Sequence, residues 1–292
     1  MNRNENIIED QMVVVANSID DIDYDRRCFW KMSDEVYRDA DGMRHSALTK
    51  LFPPNTPLDF KFNMDMKRAP TPAMELGTAI HLAVFQPDEF ENRVAVDPDI
   101  NKRTNAGKEE YAKFCEENLG KVIISKKELD DCYYMRDAIY RHPVGNMLGA
   151  KKGDAEISGF FKWHDTPCKF RADYLVRSKR VIFDLKTTLS GSERSFQRSV
   201  LDYNYHTAAL FYMHGASQVT NEPYSDFIWI GLEKFAPYKI WLWQPERKWL
   251  EMAEGMVYRA IMTYEKCMKE RYWPGPSTNV ETLFAPAWMG RD

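Results

Sequence analysis

Phe170-Arg171-Ala172-Asp173-Tyr174-Leu175-Val176-Arg177-Ser178-Lys179-Arg180-Val181-Ile182-Phe183-Asp184-Leu185-Lys186-Thr187-Thr188 is the stretch whose reading decides the fold. Apolar and β-prone residues fill both arms, and Arg177 to Arg180 form a polar break, so it reads as two strands and a short turn. With Ser178 and Lys179 as the loop, Arg177 faces Arg180 and, counting outward, Asp173 faces Asp184. Directly opposed Cβ atoms on one sheet face lie roughly 4.5–5.5 Å apart. Lys186, two residues past Asp184, shares that face. Opposed like charges destabilise a sheet, so two carboxylates placed this way imply a cation between them.

Working outward, Asp154 to Trp163 alternates as a third strand, with His164-Asp165-Thr166-Pro167 as the turn. If Trp163 faces Cys168, Glu156 faces Leu175 and lies diagonally beside Asp173. The face then carries Glu156, Asp173, Asp184 and Lys186. A one-residue slip would move Glu156 to the other face.

Further upstream, Thr71 is the expected N-cap and Pro72 the first residue of a helix running to Phe85. Gly77 and His81 stand four apart on one side of it. Glycine inside a helix costs about 1 kcal/mol against alanine, and the expectation is that another backbone comes close there. His81 is then either a satisfied core histidine or a ligand at a tight junction.

Helix starts are expected at Ser33 and Ser46, with Pro53, Pro54 and Pro57 ending the second helix. Tyr111 to Asn118 and Lys126 to Tyr140 have helical spacing, and Lys102 to Lys108 reads as a solvated basic loop. Ser192 to Ala216 is expected as one long helix carrying Arg194, Arg198 and Tyr205. Ser225 to Lys234 and Pro237 to Pro245 read as a hairpin whose Trp229, Trp241 and Trp243 pack in the core. Arg247 to Arg271 is a closing helix, followed by an irregular tail that holds Trp288. Residues 1–30 read as a loosely ordered lead, and 31–292 as one domain, helical over 31–150, with its core over 151–272.

The 292 residues with 44% hydrophobic content suffice for one large core. A net charge of −4 gives no global basic signal, which leaves room for a local basic groove. Five scattered cysteines without a Cys-x-x-Cys pair argue against a disulfide framework or zinc ribbon and fit a reducing, cytoplasmic setting. No apolar run approaches the roughly 18 residues of a membrane span, and no signal-peptide pattern opens the chain.

Carboxylates from adjacent strands and the Leu185 carbonyl suit a hard cation such as Mg²⁺; a histidine among them would admit Mn²⁺. A lysine beside such a cation can orient water or stabilise charge on a phosphate. These are the parts that metal-assisted phosphodiester hydrolysis needs.

The same residues resemble the PD-(D/E)XK nuclease superfamily, and within it the exonuclease VIII-like branch of phage and prophage recombination nucleases. Met32 to Tyr37 and Ser46-Ala47-Leu48 resemble its N-terminal helices, and Gly77-Thr78-Ala79-Ile80-His81 its histidine motif. Cys168 to Leu175 and Asp184-Leu185-Lys186-Thr187-Thr188 resemble its catalytic strands, and Trp273-Pro274-Gly275 its C-terminal signature. The resemblance implies an α/β fold with a mixed central β-sheet flanked by helices, restriction-endonuclease-like.

It further implies that His81, Asp173, Asp184 and the Leu185 carbonyl bind the metal, that Lys186 acts on the attacking water or the phosphate, and that Glu156 is a supporting acid. Arg171, Thr187, Thr188, Arg194, Arg198 and Tyr205 would approach DNA. The family's Tyr-x-x-Gln pattern, followed by a second tyrosine, is met by Tyr205 and Tyr212, but its glutamine position holds Ala208.

The implied activity is 5′→3′ exonuclease digestion of linear double-stranded DNA with Mg²⁺, leaving 3′ single-stranded tails. The implied partners are DNA ends, a single-strand annealing protein and further copies in a ring-like homo-oligomer, in the cytoplasm of a bacterial host if phage-encoded. A structure-specific or single-strand endonuclease of the same fold and a non-catalytic DNA-binding protein are the alternatives.

Overall fold

The computed structural model describes residues 13–66, 71–148, 152–277, 279–280, 282–286 and 289. The first twelve residues, Pro70 and Trp288 lie outside them. The strands are β1 (Val13–Ala16), β2 (Phe29–Met32), β3 (Met43–Arg44), β4 (Val94–Val96), β5 (Val122–Ile124), β6 (Asp154–Trp163), β7 (Thr166–Val176), β8 (Val181–Thr188), β9 (Asp226–Glu233) and β10 (Ile240–Trp243). The helices are α1 (Asp34–Asp39), α2 (His45–Leu48), α3 (Pro57–Asp65), α4 (Pro72–Phe85), α5 (Pro87–Arg93), α6 (Asn105–Glu117), α7 (Lys126–Arg141), α8 (Glu193–Asp202), α9 (Tyr205–Thr220) and α10 (Arg247–Glu270).

One mixed sheet runs β1-β2-β6-β7-β8-β9-β10, with β3 beside β7. The segment β6-β7-β8 is antiparallel, as the sequence predicts, and β8 pairs β9 in parallel across the crossover through α8 and α9. Helices cover both faces. Phe170, Ala172, Leu175 and Ile182 pack in the core that includes Phe211 of α9 and Val257 of α10. Tyr174, Phe183 and Leu185 pack in the core formed with α4 and α7. That second core joins residues on both sides of position 150, so the helical N-terminal part and the sheet share one interior.

Several expectations change. The lead from Val13 onward is built into the sheet as β1 and β2, pairing in parallel from Val13 against Phe29. Ser46 lies within the first turn of α2, which opens at His45; Pro57 does not end a helix but starts α3, with Thr56 and Asp59 as its capping box. The helix expected over 192–216 is two helices, broken at Asn204, which takes the left-handed conformation (φ 56°) that asparagine tolerates. No backbone crowds Gly77: among the described residues, a Cβ there would meet nothing within 4 Å.

Other expectations hold. Ser33 caps α1 by accepting from the Val36 N–H, and Thr71 caps α4, with Pro72 as its first residue. The core packing expected of the tryptophans holds for Trp229, which is buried, but not for Trp241 and Trp243, which are half-buried on the edge strand β10.

Candidate active site

The β7–β8 ladder pairs Val176 with Val181, Leu175 with Ile182 and Tyr174 with Phe183, the register read from the sequence. Arg177 to Lys179 form a single tight turn, closed by Arg180 in the left-handed region (φ 52°). One rung beyond Tyr174 and Phe183 stand Asp173 and Asp184, and there the ladder stops. The Asp173 Oδ2 instead accepts the Leu185 N–H at 2.8 Å, so a side chain replaces a backbone rung where the strands part.

β6 meets β7 in a register two residues from the expected one. Trp163 pairs with Thr166 around a His164–Asp165 turn, with His164 in the left-handed conformation (φ 52°). A two-residue error preserves the face, and it moves Glu156 from diagonal to directly opposite Asp173. Neither residue takes part in the ladder, and Glu156 is held at φ 50°, a costly conformation for glutamate. On either side of this broken rung the strands change faces: Ile157 and Ala172 pack in the α9 core, while Ala155 and Tyr174 pack with α4 and α7.

α4 supplies His81. Its Nε2 lies 3.0 Å from the Leu185 carbonyl and its Nδ1 3.4 Å from Asp173 Oδ2. A carbonyl can only accept, so Nε2 carries a proton in this arrangement. The ring stands edge-on to Phe85, which stacks on Tyr174. His81, Glu156 and Asp173 thus each place a donor atom within 4.8 Å of the others.

Asp184 stands beside this trio rather than in it. It is 4% exposed, and its Oδ2 is 2.6 Å from Lys186 Nζ. The ammonium sits 5.0 Å from the centre of the Tyr205 ring, a cation–π distance.

Burial pushes the Glu156 carboxyl up to about 7, with Asp173 adding to the effect. Burial also raises Asp184, to about 6, against the opposing pull of Lys186. For Lys186 burial works the other way, yet the Asp184 and Asp173 carboxylates outweigh it and raise the ammonium above its ordinary value. Near neutrality, then, Asp184 and Lys186 form an ionised pair, while Glu156 is poised between its two states.

Three carboxyl groups, one carbonyl and one imidazole converge beside the Lys186 ammonium. Octahedral cis donors at about 2.1 Å from a metal lie roughly 3 Å apart, close to the His81 spacings. The donor set fits a hard divalent ion; one ring nitrogen of His81, not both, can face it.

The residues expected at DNA divide. Arg171 is 10% exposed and committed to the protein: Nε to Ser158 Oγ at 3.2 Å, Nη2 to the Met32 and Ser33 carbonyls at 2.9 and 3.1 Å, and Nη1 to Asp34. The structure thus makes it a fastener instead of an open phosphate contact. Thr188 closes its own turn, its hydroxyl donating to the Ser190 carbonyl at 2.9 Å. Thr187 is half-buried next to Lys186. Arg194 and Arg198 are exposed on α8, and neither has an ion-pair partner among the described residues.

His206 does not stand in for the glutamine absent at Ala208; it is buried against Trp249, its Nδ1 bonded to the Val200 carbonyl at 3.2 Å. Tyr212 packs against Phe170 and Phe227; burial raises its hydroxyl, with Tyr37 and then Asp184, Asp173 and Glu156 adding to the effect. Sequence reasoning missed His45, whose Nε2 lies 2.8 Å from Thr207 Oγ1. Burial, then Lys186, lowers His45 to about 3. It also missed the roles of Asp34, which lies within the Met32 to Tyr37 motif without a task of its own there, and of Arg93, which no motif marks.

Residues 58–286 match the family model described as "PDDEXK-like domain of unknown function (DUF3799)". The chain belongs to this PDDEXK-like family. That places it in the PD-(D/E)XK superfamily its motifs resemble. The fold overlays the crystal structure of the "Putative exonuclease" from Eubacterium rectale with a TM-score of 0.60, at 14% identity, over 88% of this chain and 96% of that one. At that identity the likeness concerns the fold alone, and it supports the mixed sheet flanked by helices. A second solved structure, "SSO0001", covers 64% of this chain and 85% of its own at 14% identity, with a TM-score of 0.29 that carries no argument. Among curated proteins, none matches the sequence. No helix among the described residues is long and apolar enough to cross a membrane.

Proposed function

We propose that the protein is a divalent-metal-dependent deoxyribonuclease, most specifically a 5′→3′ exonuclease that degrades one strand of linear double-stranded DNA. The observation that carries the reading is the trio His81, Glu156 and Asp173, within 4.8 Å of one another, against the Asp184–Lys186 pair at 2.6 Å. His81, Glu156, Asp173 and the Leu185 carbonyl would hold Mg²⁺ or Mn²⁺, with Asp184 at their border. Such an ion would polarise the phosphate and favour ionisation of water.

The protein's own groups have separable tasks. The Leu185 N–H fixes one oxygen of Asp173 and so its carboxyl plane. Glu156 must give up its proton for the metal to enter, which ties metal affinity to pH near 7. Lys186 keeps its proton, since neighbouring acids raise it, so it acts as a cation toward the phosphate rather than as a base for water. Tyr205 places its ring face against that ammonium. Exposed Arg194 and Arg198 on α8, the helix that follows β8, would receive the DNA backbone.

The family and the exonuclease-like fold support the nuclease class. Attack at ends, 3′ tails, a single-strand annealing partner and a ring-like assembly rest on the exonuclease VIII-like resemblance. The test is a time course on 5′- and 3′-labelled linear duplex with Mg²⁺ or Mn²⁺, beside covalently closed circles and Asp173→Asn. Release from linear duplex alone, lost in the variant, is the expected result. Cleavage of circles would favour an endonuclease, and no cleavage under either metal would overturn the reading.

A further inference from the structure

α1 is a six-residue helix held at both ends by the side chains of two cations of β7, Lys169 and Arg171. Lys169, 3% exposed, donates to the carbonyls of Tyr37 at 2.7 Å, Arg38 at 3.2 Å and Ala40, at the helix's C-terminal end. Arg171 takes the other end through the Met32 and Ser33 carbonyls and the Asp34 carboxylate, with its guanidinium 4.5 Å over the Tyr37 ring. Burial lowers Lys169 to about 8, which makes the three carbonyls its compensation. A helix this short has no independent stability, so β7 dictates where Asp34 stands.

Asp34 uses its second oxygen on Arg93, the last residue of α5. Arg93 turns its other nitrogen, Nη1, to Gln86 at 3.3 Å and to Glu89 at 3.6 Å. Gln86 is at once the C-terminal cap of α4 and the N-terminal cap of α5. A polar chain therefore runs from Arg171, two residues before Asp173, through Asp34 and Arg93 to the end of the helix that carries His81. The same elements also meet at the site through His81, against Asp173 and Leu185, and through Phe85 stacked on Tyr174.

We propose that Asp34 is a positioning residue for the metal site: it ties the His81 helix to the Asp173 strand and offsets the positive charge of Arg171, two residues from Asp173. This inference rests on the metal reading given above. Both of its effects have the same sign, since loosening α4 and freeing positive charge each weaken cation binding. The clasp lies outside the donor set, so its effect should be smaller than the roughly 10–100-fold loss typical of groups hydrogen-bonded straight to a metal ligand.

The test is calorimetric titration of Mn²⁺ into wild type, Asp34→Ala, Arg93→Gln and the double variant, without DNA, with thermal unfolding of each metal-free protein alongside. Arg93 is partly exposed and at a helix end, so Arg93→Gln keeps the question open should Asp34→Ala fail to fold. We expect Mn²⁺ to bind about three- to tenfold more weakly in Asp34→Ala, a smaller weakening in Arg93→Gln, where loss of a positive charge opposes the loosening of α4, and a double variant that loses no more than Asp34→Ala alone, as two links of one chain must. Mn²⁺ affinity within twofold of wild type in Asp34→Ala, binding as tight as wild type or tighter in Arg93→Gln, or additive losses in the double, would overturn the inference and leave the nuclease reading standing. Wild type that binds no Mn²⁺ would overturn both.

Discussion

The two ends of the β7–β8 hairpin obey different rules. At the turn end the ladder is regular, the side chains are apolar, and Val176, Val181, Leu175 and Ile182 are all buried. One rung past Tyr174 and Phe183, hydrogen bonding passes from backbone to the Asp173 side chain, Glu156 takes a positive φ, and acids crowd where Val and Ile stood. The regular end supplies stability and the broken end spends some of it. A strained, acid-rich rung persists only where surrounding structure over-determines it, and here that structure is the rest of the same hairpin, with a core on each face.

The contrast can be broken at either end. Phe183→Ala should cost most, about 3–5 kcal/mol for a large buried ring, read as a lower denaturant midpoint and a loss of metal binding only through unfolding. At the broken end, Lys186→Ala should reduce DNA hydrolysis by about 10²–10³-fold, the usual scale for removing a group that stabilises transition-state charge. Its thermal midpoint should fall as well, because Asp184 is left buried without its cation, so activity is compared where both proteins are folded; a Lys186→Ala protein with full activity would remove the lysine from the chemistry.

Glu156 sharpens the comparison through pH. Its folded value, about 7, stands above the ordinary 4.5, so the metal-free fold is favoured while the group is protonated and loses stability as pH rises through 7. Unfolding measured in chelator between pH 5 and about 8.5 should show that decline, and Glu156→Gln should flatten it. A steeper decline in the variant would contradict the burial argument. The smallest effect is expected one turn before His81. Because nothing among the described residues crowds Gly77, Gly77→Ala should stabilise α4 by about 1 kcal/mol, and a lower midpoint would mean that the position is more crowded than this.

Much of the site was legible because a hairpin's register follows from a short turn and its alternation. The register needed only a count outward from Ser178 and Lys179, and it holds through Tyr174–Phe183, the last rung of the ladder; Asp173 and Asp184 stand one step beyond, where backbone pairing has stopped. Glu156 was reachable by the same count with a turn two residues too long, an error that period-two geometry forgives in the face but not in the partner. Thr71 and Pro72 announced α4 because caps are local chemistry. Asn204 hid the break between α8 and α9, since asparagine at a left-handed residue looks like any polar position in a helix.

The sequence by itself determined which side chains could form the centre, the hairpin that aligns two of its acids, and the family to which those motifs belong. Local spacing carries that information, because neighbours along a strand or helix meet wherever the chain goes. Only the tertiary structure decided that His81, more than a hundred positions from Leu185, reaches its carbonyl. It also decided that Arg171 is spent on α1 and that Asp34 joins Arg171 to Arg93. Each of these contacts spans distant segments brought together by packing on a common sheet, and no local pattern encodes which distant partner a charge will find.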